Sequence, residues 1–168
     1  MASTDIWTIQ RILQWTTRYF KNHGVEEARL DAELLLAHVL KKTRIYLYTN
    51  FDQMLNRDEL AAYHTLVERR AKGICVAALT GHKDFMGLDF FVNEHVLIPR
   101  PDTEEWLEKI IQRYRAKGNL HVLDLGTGSG AILLSFLTYC AEADGVAVDI
   151  SPEALAVAKK NAEYMKLE

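Results

Sequence analysis

The sequence predicts an α/β protein in which an N-terminal bundle of helices precedes a parallel β-sheet wrapped by helices. Apolar residues recur at helical spacing through the first 72 residues, a pattern typical of short amphipathic helices that pack together. From Leu120 onward the pattern becomes strand, helix, strand, helix, and this alternation indicates a parallel sheet. A glycine-rich turn over residues 126–130 joins the first of these strands to its helix.

The composition is that of an ordinary globular protein. Of the 168 residues, 49% are hydrophobic and 26% are charged, and the net charge is −3. This is enough apolar material for a core and too much for a disordered chain. A charge so close to zero argues against a protein that holds nucleic acid mainly through a basic surface, so no direct nucleic-acid partner is expected.

The spacing of the cysteines and histidines predicts no metal site. The cysteines and the N-terminal sequence predict a cytoplasmic protein. Cys75 and Cys140 fit no metal spacing, and no two of the six histidines have ligand spacing with a carboxylate. Residues 1–10 lack the basic start and long apolar run of a signal peptide. No stretch approaches the roughly 20 apolar residues that a membrane-spanning helix needs, so no membrane contact is expected.

The N-terminal region is predicted to contain four helical segments. Apolar spacing gives a first helix that ends at Gly24, a second over residues 26–40 and a short third around residues 45–48. Asn56 followed by Glu59 predicts a capping box that opens the fourth helix. The aromatic residues Trp7, Trp15 and Tyr19 are predicted to lie in the bundle core, with a role in gripping a partner left open.

The stretch before the parallel sheet has a different pattern. Residues 85–98 alternate and are rich in Phe, Val and Leu, which predicts a β-hairpin or an extended linker. A helix is predicted to open within residues 99–104, because Pro101 suits the first helical positions. Asp102 and Glu104 resemble a pair of catalytic acids, but their place in the first helical turn favours an interaction with the helix dipole.

The C-terminal part carries two predicted strands and two predicted helices. The strands lie at residues 122–125 and 145–150, and helices follow them at 131–140 and 152–165. Two parallel strands cannot bury both faces of a doubly wound sheet, which normally has several more. We therefore expect the natural protein to be longer than this chain.

The turn Asp-Leu-Gly-Thr-Gly-Ser-Gly at residues 124–130 is the strongest chemical signal. Glycines let the backbone turn sharply and approach a ligand, and the following helix offers unpaired N–H groups. Asp149, at the end of the second strand, can accept hydrogen bonds from both ribose hydroxyls of an adenosine cofactor. The turn alone could be only a tight connection, but together with Asp149 it indicates an adenosine-containing cofactor.

The spacing within the turn favours S-adenosylmethionine over a dinucleotide. The dinucleotide fingerprint is G-x-G-x-x-G, whereas this sequence gives G-x-G-x-G followed by Ala131. Asp124 would repel a pyrophosphate but would suit the ammonium and sulfonium groups of S-adenosylmethionine. The Lys-Ser or Lys-Thr of a phosphate-binding P-loop does not follow the turn.

The sequence resembles the HemK/PrmC family of glutamine methyltransferases over nearly its whole length. The matching runs are Leu-Thr-Gly at 79–81, Phe-Met-Gly at 85–87, Val-Leu-Ile-Pro-Arg-Pro-Asp-Thr-Glu at 96–104, the glycine turn at 124–130 and Val-Asp-Ile-Ser-Pro-Glu-Ala at 148–154. Many methyltransferases share the glycine turn. The run at 96–104 is much more specific, and it decides the family.

This resemblance implies a domain organisation and an activity. It implies a substrate-recognising helical bundle over 1–80, a β-hairpin linker over 81–98 and the start of a Rossmann-like methyltransferase domain, truncated, over 99–168. The implied reaction transfers a methyl group from S-adenosyl-L-methionine to the glutamine amide nitrogen in the Gly-Gly-Gln motif of peptide chain release factors. The release factor would be the protein partner, and a monomer is expected.

The resemblance also assigns site residues. The residues implied to cradle the methionine part of the cofactor are Gly126, Thr127, Gly128, Ser129 and Gly130. Asp149 would hold the ribose, and Thr103 would add a polar contact from the run at 100–104, which borders the pocket.

Two departures from the family pattern matter. Cys75 and Ala78 stand in a stretch where the family usually has proline and tyrosine, which affects the linker contacts. The family's Asn-Pro-Pro-Tyr motif, which binds the substrate amide, is absent from these 168 residues. We therefore assign no catalytic residue here and expect weak cofactor binding without turnover.

Other functions stay open at the level of sequence. A nicotinamide-dependent oxidoreductase would need a third glycine at Ala131 and would have to tolerate Asp124. The chain could instead be a non-catalytic binding module whose helical region recognises a partner by itself. Methylation of DNA adenine is a more distant alternative, because an Asn-Pro-Pro-Tyr motif can also serve exocyclic amines, but the near-neutral charge argues against it.

Overall fold

The computed structural model describes residues 6–167 and divides the chain into two compact units, an N-terminal unit, Met1–Thr80, and a C-terminal unit, Gly81–Glu168. The helices of the N-terminal unit are α1 (Ile9–Asn22), α2 (Ala28–Leu40), α3 (Arg44–Thr49), α4 (Arg57–Ala71) and α5 (Val76–Thr80). This order confirms the predicted helical character of the first 72 residues.

Local capping interactions explain where the N-terminal helices start and stop. The side chain of Thr8 accepts a hydrogen bond from the Arg11 N–H at the start of α1. The predicted capping box is confirmed, since Asn56 and Glu59 each accept a hydrogen bond from the other's backbone N–H. Such reciprocal bonds satisfy two of the N–H groups that every helix start leaves unpaired. Lys41 ends α2 in the left-handed conformation.

The core of the N-terminal unit is built from the apolar faces of these helices. Its most buried side chains include Ile9, Leu13, Phe20, Leu35, Leu36, Leu47 and Tyr63. The prediction that Trp7, Trp15 and Tyr19 lie in this core was wrong for Trp15, which is 44% exposed and stacks on Tyr19. Thr16, the next residue along α1, takes the buried position instead. Trp7 and Tyr19 are partly buried against the core.

Glu33 is a buried carboxylate that the sequence pattern did not reveal. Its side chain is 1% exposed and accepts hydrogen bonds from Arg29, Arg44 and Tyr48. Burial alone would raise the pKa of Glu33, but these hydrogen bonds outweigh burial and hold the pKa below its usual value. Glu33 therefore stays ionised and ties α3 to α2.

The C-terminal unit combines a hairpin with a parallel pair of strands. Its elements are β1 (His82–Phe85), β2 (Leu88–Phe91), α6 (Pro101–Tyr114), β3 (His121–Leu125), α7 (Ala131–Tyr139), β4 (Asp144–Val148) and α8 (Pro152–Met165). Strands β3 and β4 are parallel, with Leu123 opposite Val146. The predicted α/β fold class and the strand-helix alternation of a Rossmann-like domain are thereby confirmed.

The hairpin lies earlier in the chain than the alternating residues 85–98 predicted. Strands β1 and β2 are antiparallel and meet at Met86 and Gly87, both with positive φ, +54° and +71°. Positive φ at both central residues gives a turn whose twist matches the flanking strands. The alternating pattern missed the first strand because β1 contains the polar residues His82, Lys83 and Asp84, which show no apolar alternation.

One face of the parallel pair is covered and the other is open. Helix α7 packs against both strands, whereas Leu123, Leu125, Val146 and Val148 are exposed on the opposite side. A doubly wound parallel sheet normally has helices on both faces, whereas this pair of strands has a helix on one face only among the described residues. Within residues 6–167, no helix is long and apolar enough to cross a membrane.

Candidate functional site

The glycine turn leaves β3 at Leu125 and is held by the backbone of the neighbouring strand. The N–H groups of Gly126 and Thr127 both donate to the carbonyl oxygen of Val148, at 2.7 and 3.0 Å. Gly128 has φ +56° and open space where a Cβ would stand. The turn therefore has a defined position, and its backbone can be approached closely by a ligand.

Asp149 follows β4 directly and binds the turn. Its Oδ2 accepts a hydrogen bond from the Gly128 N–H at 2.8 Å, and its Oδ1 accepts one from the Ser151 N–H at 2.9 Å. The backbone N–H groups of Ser151 and Gly128 hold the pKa of Asp149 below its usual value. The carboxylate is therefore ionised and fixed, and each oxygen keeps a further lone pair that can accept a hydroxyl donor.

A second carboxylate, Asp124, lies at the start of the turn. It accepts a hydrogen bond from the hydroxyl of Thr127 at 2.8 Å. Thr127 is almost completely buried, so this bond fixes both side chains beside the first glycine. A carboxylate in this place favours a positively charged ligand group over a phosphate.

A cavity of about 290 Å³ brings most of the predicted site residues together. It is lined by the predicted residues Thr103, Gly126, Thr127, Gly128 and Ser129, and also by Arg100, Asp102, Ala131, Ile132 and the apolar residues Phe85, Leu97, Ile98 and Pro99. The run at 96–104 and the glycine turn, distant in sequence, thus face the same space. The start of α7 adds backbone N–H groups that have no partner within the helix.

Two of the predicted site residues do not line this cavity. Asp149 contacts the turn by accepting a hydrogen bond from the Gly128 N–H. Gly130 begins α7 with φ +80°, and a Cβ there would stand 3.0 Å from Leu134 Cδ1 and 3.3 Å from Ala158 Cβ. Gly130 is therefore needed for a left-handed backbone and for close packing against α8, and its contribution to the pocket is indirect.

Sequence reasoning missed the contacts that hold the hairpin. The Met86 N–H donates to Glu104 Oε1 at 2.8 Å, and the hydroxyl of Tyr139 donates to the Met86 carbonyl at 2.6 Å. Glu104 thus binds the hairpin turn in addition to lying in the first turn of α6. These bonds join a side chain to a distant backbone group, so no local pattern could have indicated them.

The fold and this site define an α/β protein with a glycine turn of the Rossmann-like type. Residues 11–81 match the PrmC N-terminal domain, and residues 116–168 match a methyltransferase domain. Over 165 residues the chain is 44% identical to the release factor glutamine methyltransferase of Rhodopirellula baltica, covering 96% of this chain and 56% of that protein. A protein of the same name in Geobacter sulfurreducens is 46% identical over 159 residues, with coverages of 95% and 55%.

Both domain matches and these relatives agree with the resemblance of the chain to the HemK/PrmC family. It spans about half the length of the curated relatives it matches.

Proposed function

We propose that this protein methylates the amide nitrogen of the Gly-Gly-Gln glutamine in peptide chain release factors, with S-adenosyl-L-methionine as the methyl donor. The observation that carries the proposal is the shared cavity of the glycine turn and the run at 96–104, beside a carboxylate at the end of β4. The names of the relatives support the reaction and its protein substrate.

The residues around the cavity fit this cofactor. Asp149 is ionised, held by two backbone N–H groups and able to accept both ribose hydroxyls. The backbone of Gly126, Gly128 and Ser129 borders the space for the methionine part, and Asp124 suits its ammonium group. Thr103 supplies a polar contact from the first turn of α6. When bound, S-adenosylmethionine supplies a methyl group activated by its sulfonium.

The chemistry explains why this chain alone is expected to be inactive. An amide nitrogen is a poor nucleophile because its lone pair is delocalised into the carbonyl, so both amide hydrogens must be accepted in a fixed geometry. The acceptors in the family belong to the Asn-Pro-Pro-Tyr motif, which these 168 residues lack. We infer that the chain holds cofactor weakly and transfers no methyl group by itself.

The N-terminal unit is proposed to recognise the protein substrate. Its surface presents Trp15, 44% exposed and stacked on Tyr19, whose ring lies 4.1 Å from that of His23. Exposed aromatic side chains are enriched where proteins bind one another. Cytoplasmic localisation follows from a release-factor substrate, and a monomer stays our expectation.

A calorimetric comparison of S-adenosylhomocysteine with NADH tests the cofactor. We expect this chain to bind S-adenosylhomocysteine, weakly, and to show no heat with NADH, because Asp124 disfavours a pyrophosphate and Ala131 replaces the glycine of the dinucleotide fingerprint. Binding of NADH without S-adenosylhomocysteine would favour the oxidoreductase alternative and contradict the proposal.

A further inference from the structure

Asn161 is a fully buried polar side chain that the proposed reaction does not use. It lies on α8 with no exposed surface. Its Nδ2 donates to the carbonyl of Ser129 at 2.8 Å and to that of Phe91 at 2.9 Å, and its Oδ1 accepts from the Phe91 N–H at 2.7 Å. Both donor hydrogens and the acceptor oxygen of the amide are thus engaged with backbone groups.

The hydrogen bond from Asn161 to the Ser129 carbonyl fixes the glycine turn. Ser129 is 2% exposed and lines the candidate cavity, and its carbonyl is the group that Asn161 holds. The orientation of this peptide group determines where the following amide of the turn points. Ala158, three residues before Asn161 and therefore on the same face of α8, packs against Gly130. Helix α8 thus supports the second half of the turn, while Asp149 supports Gly128.

The other two bonds fix strand β2 to the same helix. The backbone of Phe91 pairs with the Asn161 amide in both directions. The Phe91 ring contacts two neighbours of Asn161 on α8, lying edge-on to Tyr164 at 5.2 Å and beneath the Lys160 ammonium at 3.6 Å. Strand β2 and the glycine turn are therefore both hydrogen-bonded to the same side chain, that of Asn161 on α8.

We propose that Asn161 is a positioning residue for cofactor binding, which aligns the Ser129 peptide group by bonding it to α8 and, through Phe91, to the hairpin. This inference rests on the proposed function, because the ligand of the turn is taken to be S-adenosylmethionine. Asn161 touches no ligand itself. Its effect is to hold the turn in its binding geometry before the ligand arrives, which lowers the cost of binding.

The variant Asn161→Asp is the sharpest test. It has the same shape and keeps an acceptor for the Phe91 N–H, but it places a carboxylate oxygen against the carbonyls of Ser129 and Phe91. We expect its affinity for S-adenosylhomocysteine, measured by calorimetry, to fall by about tenfold or more, because small displacements of a positioning group have effects of this size. Asn161→Ala is expected to weaken binding in the same direction.

Val157→Ala provides the matched control, because Val157 is buried on the same helix and does not line the cavity. It is expected to lower the melting temperature and to leave the affinity unchanged. Amide hydrogen exchange gives a second measurement that needs no ligand. Exchange at Gly128 and Gly130 is expected to accelerate by about tenfold in Asn161→Asp and to stay unchanged in Val157→Ala.

Affinity and exchange equal to those of the parent chain in Asn161→Asp would overturn the inference. Equal changes in both variants would also overturn it, since they would indicate a general loss of stability. If the parent chain bound no S-adenosylhomocysteine, the proposed function would fail on that result. The exchange rates at Gly128 and Gly130 would then still decide whether Asn161 positions the turn.

Discussion

The variant Asp149→Asn is expected to lower the affinity of this chain for S-adenosylhomocysteine by about a hundredfold, which takes weak binding below calorimetric detection. The substitution removes the charge that would accept the ribose hydroxyls. It also leaves an amide group that cannot accept from both Gly128 and Ser151, whose N–H groups each bind one carboxylate oxygen. Each hydrogen bond to a charged group is worth on the order of tenfold, and at least two are lost.

The same geometry predicts how binding responds to pH. Because the Ser151 and Gly128 N–H groups lower the pKa of Asp149, its charged form persists throughout the range above its ordinary value of 3.8. The contribution of Asp149 is fully present there and is lost only as the pH falls through the lowered pKa.

Asp144→Asn is the control for this prediction. Asp144 lies at the other end of the same strand, where it is exposed and pairs with His121. The same change of chemistry at Asp144 is expected to leave the affinity unaltered. If the parent chain and Asp149→Asn bound S-adenosylhomocysteine with equal affinity, Asp149 would not be a cofactor-binding residue.

Gly130→Ala is expected to destabilise the C-terminal unit by about 2–5 kcal/mol. A left-handed backbone, here φ +80°, costs a residue with a Cβ about 1–2 kcal/mol. The new Cβ would also stand 3.0 Å from Leu134 and 3.3 Å from Ala158, both buried, and overpacking of this kind costs about 1–3 kcal/mol. Hydrogen exchange across α7 and α8, measured as a function of urea, reports the free energy of unfolding of this unit.

The variant Gly81→Ala separates the cost of the left-handed backbone from the cost of overpacking. Gly81 has nearly the same backbone angle, φ +82°, but nothing lies within 4 Å of the position of a Cβ. This variant is expected to lose only about 1–2 kcal/mol, the cost of the left-handed backbone. Equal losses in the two variants would show that the packing of Gly130 against α8 contributes nothing.

Much of the fold follows from local sequence signals. Helix α8 begins and ends where predicted, because Ser151 caps its first turn, Pro152 suits its first position and apolar residues recur along one face. The glycine turn and Asp149 were likewise evident, since glycines between a strand and a helix and a carboxylate after the next strand are local features. That Thr103 faces the same space as the turn came from the family resemblance.

The remaining contacts depend on tertiary packing. The hairpin was predicted too late in the chain because the polar residues of β1 carry no strand pattern. Trp15 was wrongly assigned to the core because α1 has more apolar residues than its buried face accommodates. The bonds of Asn161 with Phe91 span 70 positions, and that of Glu104 with Met86 spans 18. A polar residue in a helix is ordinarily expected at the surface, so only the packed structure reveals such bonds.

Methyl incorporation from labelled S-adenosylmethionine into a release factor tests the central claim most directly. This chain would be compared with the full-length gene product, and a release factor with Gln→Ala in its Gly-Gly-Gln motif would serve as the control. We predict that label enters only with the full-length product and only when the glutamine is present. Failure of the full-length product to label the release factor, or equal labelling of the Gln→Ala control, would contradict the proposed substrate.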